Sequence, residues 1–141
     1  MNLREQLIRF EGWRNRAYPD PLTGGAPWGI GVGHTGPEVH EGLIWTDAQI
    51  EAALDVDIAE ATTECRANLP WLIDLDEPRQ AVLIGMWFQL KHPMDFAPTF
   101  ALVRNQQYTE AAEHLRQSAW AKQTPNRVEA LAQQLITGAW A

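Results

Sequence analysis

"AYPDPLTGGAPWGIGVGHTG", residues 17–36, decides between an all-helical chain and one that carries a sheet. Proline, glycine and aromatic residues crowd it, whereas the segments on both sides follow a helical period. It reads as a turn-rich β hairpin or small sheet. Within it, "PWGIGVGHTG" places glycine at 29, 31 and 33. A period of two puts Trp28, Ile30, Val32 and His34 on one face and the three glycines on the other. Glycine inside a strand marks a bulge or the close approach of another group. The bare face therefore predicts something lying directly on the ribbon.

Working outward, "MNLREQLIRFEG" pairs Asn2 with Glu5 as a capping box and follows with Leu3, Leu7, Ile8 and Phe10. This is a short first helix that stops at Gly12 and leaves Glu11 in its last turn. On the other side Thr46 and Gln49 form a second capping box. Ile50, Ala53, Leu54, Ile58, Ala61 and Cys65 then make an apolar stripe that ends near Pro70. Asp76 and Pro78 open another helix, and Ala81–Leu90 is apolar all round, as in a central buried helix. Amphipathic stretches follow over 96–104 and 109–117. Thr124 and Pro125 cap a last helix with Val128, Leu131 and Leu135 inward, ended by Gly138. The expected architecture is α+β in one domain of residues 1–141. It has an N-terminal lobe with the hairpin over 1–45, a connecting helix over 46–70 and a helical lobe over 71–141. Two lobes joined by a helix imply a cleft, where ligands bind.

Composition narrows the function. Apolar residues make up 45% of the 141, which is enough for a core. A formal net charge of −7 argues against nucleic acid as a partner and gives no attraction to anionic polymers. The single cysteine, Cys65, excludes an internal disulfide and reads as a small apolar filler. No apolar run near the N-terminus suits a signal peptide or a membrane anchor, so a cytoplasmically made chain is expected.

Glu11 is the first candidate for chemistry. A carboxylate in the last helical turn faces the negative end of the helix dipole, and burial also disfavours its charge, so its pKa is expected to rise toward that of a general acid. Asp20, in "YPDP", is the second. Taken singly, these are also a solvated helix-end glutamate and a turn-building aspartate. As a pair in one cleft they suit glycosidic bond cleavage. His34 lacks companions at metal-ligand spacing and is expected to pair with a carboxylate on the connecting helix. Neither a metal nor a cofactor is expected. Phe88 and Gln89 end the apolar helix, where a ring and an amide can meet sugar hydroxyls and N-acetyl groups. Most of the seven tryptophans read as core.

"RFEGWRNRAYPDP" followed by "IGVGHTG" resembles the phage lysozymes of the T-even and lambdoid type, glycoside hydrolase family 24. "DVDIA", "MWFQL" and "EAAEHLRQSAWAKQTPNRVEALAQQLITGAW" extend the similarity along nearly the whole chain. The resemblance implies a lysozyme-like fold and a muramidase that cuts the MurNAc–GlcNAc β-1,4 bond of peptidoglycan, as a monomeric endolysin for host lysis. It implies Glu11 as general acid, Asp20 as base or stabiliser, His34 as a structural histidine paired with Asp55, and Phe88 and Gln89 as glycan contacts. Thr35, which does not match the family by motif, is a further substrate-binding candidate as a nearby hydroxyl. It also implies action in the periplasm after a holin has permeabilised the membrane. One position departs from the family. Gly29 stands where a threonine ordinarily helps to hold the attacking water. That departure leaves three outcomes: water held by another group, a crippled glycan-binding relative, or a lytic transglycosylase that uses no water.

Overall fold

Gly12 turns the chain out of its first helix. Its φ of +82° is a left-handed value open to glycine at no steric cost, and its N–H closes the helix on Ile8 O at 2.8 Å. The computed structural model describes residues 1–141. The order is α1 (Leu3–Glu11), β1 (Arg14–Tyr18), β2 (Gly29–Gly31), β3 (His34–Thr35), α2 (Asp47–Asn68), α3 (Glu77–Leu90), α4 (Ala97–Arg104), α5 (Tyr108–Arg116), α6 (Ala119–Gln123) and α7 (Pro125–Thr137), with 3-10 turns at Pro70–Asp74 and Met94–Phe96. The α+β expectation stands: seven α-helices and one small sheet.

The chain divides into two compact units, Arg4–Glu60 and Ala61–Ala141 with Met1–Leu3. The boundary falls inside α2, not at its ends. The physical reason is a change in what the helix buries. Early in α2, Ile50 packs on the sheet at Gly31; later, Ala61 and Cys65 are buried within the helical unit.

In the first unit the strands pair antiparallel in the order β1-β2-β3. Tyr18 stands opposite Gly29 and Arg14 opposite Gly31, so β1 carries a bulge between them. Gly29 pairs with Thr35 and Ile30 with His34. Residues 43–45 extend the sheet on its other side: Ala17 N donates to Leu43 O and Trp45 N to Asn15 O. Ala17, Ile30 and Val39 form a small core with Trp28, Leu43 and Trp45 packed against it. Thr46 and Gln49 make the expected capping box, their exchanged bonds measuring 2.9 and 3.2 Å. Asp47 ties the start of α2 to the sheet by accepting from Trp13 Nε1 and Asn15 Nδ2, each at 2.9 Å.

In the helical unit α3 is the axis, buried from Ala81 through Phe88. Asp76 caps it, accepting from Arg79 N at 3.0 Å. Arg79 also donates to the last carbonyls of α7, Leu135 O at 2.8 Å and Ile136 O at 3.0 Å, and stacks over the Tyr108 ring. Trp87 and Phe100 stack at 5.3 Å. Thr124 precedes α7 as expected but makes no side-chain cap there; its hydroxyl turns back to Trp120 O at 3.3 Å. Asp76→Ala is expected to lower unfolding stability by about 1 kcal/mol, the usual worth of a helix cap. Thr124→Ala is expected to cost clearly less, and urea denaturation of the two variants makes the comparison.

Candidate active site

The glycines of β2 and the following turn do have close neighbours, a different one at each position. A Cβ at Gly29 would stand 2.7 Å from Tyr18 Cζ, and one at Gly31 would stand 3.2 Å from Ile50 Cγ2. At Gly33 the intruder is Glu11: its carboxylate lies so near that a Cβ would overlap it, with the carboxyl carbon only 2.7 Å away. Strict alternation ends at Gly31, since Val32 and Gly33 form the turn into β3. Gly33 has a φ of +63°, which resists any side chain on backbone grounds as well.

Glu11 reaches this place because α1 ends on it and Gly12 redirects the chain at once. Asp20 follows β1 in a closed turn. Its backbone N–H donates to Gly25 O and its carbonyl accepts from Gly24 N. Its Oδ1 accepts from Leu22 N at 2.7 Å, which fixes the carboxylate's rotamer. Thr23 closes the same loop by donating to Ala26 O at 2.6 Å. Glu11, Asp20, Gly29, His34 and Thr35 all belong to the Arg4–Glu60 unit.

His34 is held from both ring nitrogens: Nδ1 lies 2.7 Å from Asp57 Oδ2 and Nε2 lies 2.6 Å from Glu38 Oε1. The hydrogen bond to Asp57, with burial opposing it and Glu38 adding to it, pushes the imidazole up to about 9. Glu38 is held below the usual carboxylate range, chiefly by the same His34 bond. His34 is therefore an imidazolium at neutral pH. The expected carboxylate on the helix exists, but it is Asp57 and not Asp55. Asp55 is exposed and lies 3.7 Å from Arg4. Helical geometry explains the exchange. Ile50, Leu54 and Asp57 follow i, i+4, i+7 and share the face that packs on the sheet, whereas Asp55 points well away from it. Asp57 sits inside the apolar stripe read from sequence, and that is the signal by which it is legible.

Phe88 and Gln89 belong to the helical unit. The Phe88 ring is 2% exposed and serves the core, which corrects the expectation that it offers its face to a ligand. Gln89 is half-buried, and its Oε1 has no partner within the protein. A buried acceptor of that kind calls for a donor from elsewhere. Thr35 is exposed at the end of β3. No three His, Cys, Asp or Glu side chains come together as metal ligands. Cys65 is buried, which pushes its thiol up to about 12 and leaves it inert.

A protein-family model described as phage lysozyme matches residues 8–134. A relative from Dictyostelium discoideum, described as probable T4-type lysozyme 1, is 31% identical over 101 residues. That match covers 67% of this chain, and the chain spans about 59% of that relative's length.

The raised His34 pKa has a definite sign. Its contribution to stability is complete below the ordinary imidazole value of about 6.5 and is lost as pH rises to about 9. Its upper bound is about 3 kcal/mol. In thermal denaturation against pH, the gap between the wild type and His34→Asn is expected to narrow across that window. Asp57→Asn is expected to lower the His34 pKa in a proton NMR titration, and Asp55→Asn to leave it in place. Gly33→Ala separates geometry from stability. The backbone cost is about 1–2 kcal/mol, because the flexible Glu11 chain can swing aside. The displaced acid is expected to cost activity at least tenfold, as read by cell-wall clearing by the folded variant.

Proposed function

The chain belongs to the phage lysozyme family, and from that premise we propose that it is a muramidase that hydrolyses the MurNAc–GlcNAc β-1,4 bond of peptidoglycan to lyse a bacterial host. The observation that carries this reading is the seating of the Glu11 carboxylate against the bare backbone of Gly33, in the same compact unit as the Asp20 turn. A general acid must reach the leaving oxygen from a fixed place, and Gly33 gives Glu11 that place without a side chain between them.

In this reading Glu11 protonates the glycosidic oxygen as the bond to the anomeric carbon breaks. Asp20, its rotamer set by Leu22 N, takes a proton from the attacking water. No metal or cofactor enters the chemistry, and the working form is a monomer. No helix is long and apolar enough to cross a membrane. The enzyme reaches the periplasm once a partner such as a holin has opened the membrane.

Outer-membrane-permeabilised Gram-negative cells are expected to clear with the wild type, and clearing is expected to fall about 100-fold or more with Glu11→Gln. Asp20→Asn is expected to lose activity comparably. Product mass adds an independent check. Fragments whose summed mass exceeds that of the cut chain by one water support hydrolysis, whereas an anhydro end would assign transglycosylase chemistry. Binding of wall fragments with no clearing and no new ends would assign a glycan-binding relative instead.

A further inference from the structure

Gly29 has a tyrosine on one side and a threonine on the other. Tyr18 is its partner across from β1 and Thr35 its partner across from β3. Directly opposed residues in antiparallel pairs project from the same face of a sheet. Tyr18, Gly29 and Thr35 thus form one row with its middle side chain missing. The Tyr18 ring leans into that gap: a Cβ at Gly29 would stand 2.7 Å from Cζ and 2.8 Å from the phenol oxygen. A hydroxyl therefore occupies the ground that a side chain at position 29 would fill. Arg14 lies over the face of the ring, its guanidinium carbon 4.4 Å from the centroid.

Glu11 is near enough to be felt electrostatically. Burial first and the Glu11 charge second push the Tyr18 phenol above its ordinary value, with Arg14 pulling the other way. The phenol keeps its proton at neutral pH and does not compete with Asp20 as a base. Its oxygen remains free to accept a hydrogen bond through a lone pair.

We propose that Tyr18 is the water-positioning residue of this site, its oxygen accepting one hydrogen of the attacking water from the ground that Gly29 leaves open. The proposal rests on the hydrolase reading above. A water attacks through a lone pair, so both of its hydrogens must be turned from the sugar. Asp20 takes one as a proton while the Tyr18 oxygen holds the other. The water oxygen bonds to the anomeric carbon, the glycosidic bond breaks, and its oxygen takes the proton of Glu11. Tyr18 gains and loses nothing. Thr35 is the second hydroxyl of the same row.

The test measures reducing-end release from purified peptidoglycan by the wild type, Glu11→Gln, Tyr18→Phe, Tyr18→Ala and the double variant Tyr18→Ala/Gly29→Thr. Tyr18→Phe keeps the ring over Gly29 and removes only the oxygen. Its kcat is expected to fall about 10- to 100-fold with KM within about twofold, because positioning acts on the chemical step. The double variant returns a hydroxyl from β2 and is expected to recover about tenfold over Tyr18→Ala. Three results overturn the proposal alone: Tyr18→Phe keeping more than half of kcat, a rise in KM at constant kcat, or, should Tyr18→Phe not fold, no gain by the double variant. Absence of release by the wild type overturns the hydrolase reading and this proposal with it.

Discussion

The approach of the Glu11 carboxylate to a backbone without a side chain is the constraint on which the first unit depends. An acid at a helix end is ordinarily free to follow solvent. Here it lies against Gly33, whose left-handed backbone disfavours a side chain and where any Cβ would force the Glu11 carboxylate aside. Gly12 contributes equally, because only a sharp turn after Glu11 lets β1 start within three residues of the helix end. Two glycines of positive φ thus set the direction and the depth of one carboxylate. Beyond the Gly12 N–H bond to Ile8 O, the gain they permit is geometric.

His34 keeps that geometry from drifting. It follows Gly33 directly, so fixing its ring also fixes the turn on which Glu11 rests. Its two partners come from different places: Asp57 lies on α2, and Glu38 lies beyond β3. In a chain of net charge −7, two carboxylates this close would repel each other without a cation between them. The imidazolium supplies that cation to both carboxylates. The Trp45 ring lies tilted against that of His34, centroid to centroid 5.2 Å. The clamp is strong at neutral pH because Asp57 is largely shielded, its side chain only 12% exposed.

Much of this was legible in the residues. The Thr46–Gln49 capping box, the central apolar helix, the short sheet and the stop glycines follow from local chemistry that acts within four or five residues. The helix boundaries at Asn68, Glu77 and Gly138 fall where proline, cap and glycine chemistry places them. What escaped depends on how elements meet. Asp55 and Asp57 are two places apart in "DVDIA", and only the face toward the sheet tells them apart. Phe88 is the last ring of an apolar run, and whether such a ring faces a ligand or a core is settled by the neighbouring helices. The 3-10 turn at Pro70–Asp74 and the five-residue α6 carry too few periods to announce themselves. Tyr18 went unread for the same kind of reason: its weight comes from Gly29, eleven residues away and across a strand.

That pairing changes how a departure from a family pattern is to be read. Taken along the chain, Gly29 is a lost hydroxyl, and the natural inference is a weakened site. Taken across the sheet, Gly29 and Tyr18 are one unit, because a Cβ at 29 would stand 2.7 Å from the leaning ring at 18 and force it to move. A threonine placed there would push the ring away rather than add a second acceptor, so the two residues are expected to change together. In the proposed site the hydroxyl comes from the neighbouring strand and takes the ground that a side chain at 29 would fill. A water feels the position of an oxygen and the direction of its lone pairs, and it is indifferent to which strand supplies them. The glycine is then the condition for the tyrosine's place.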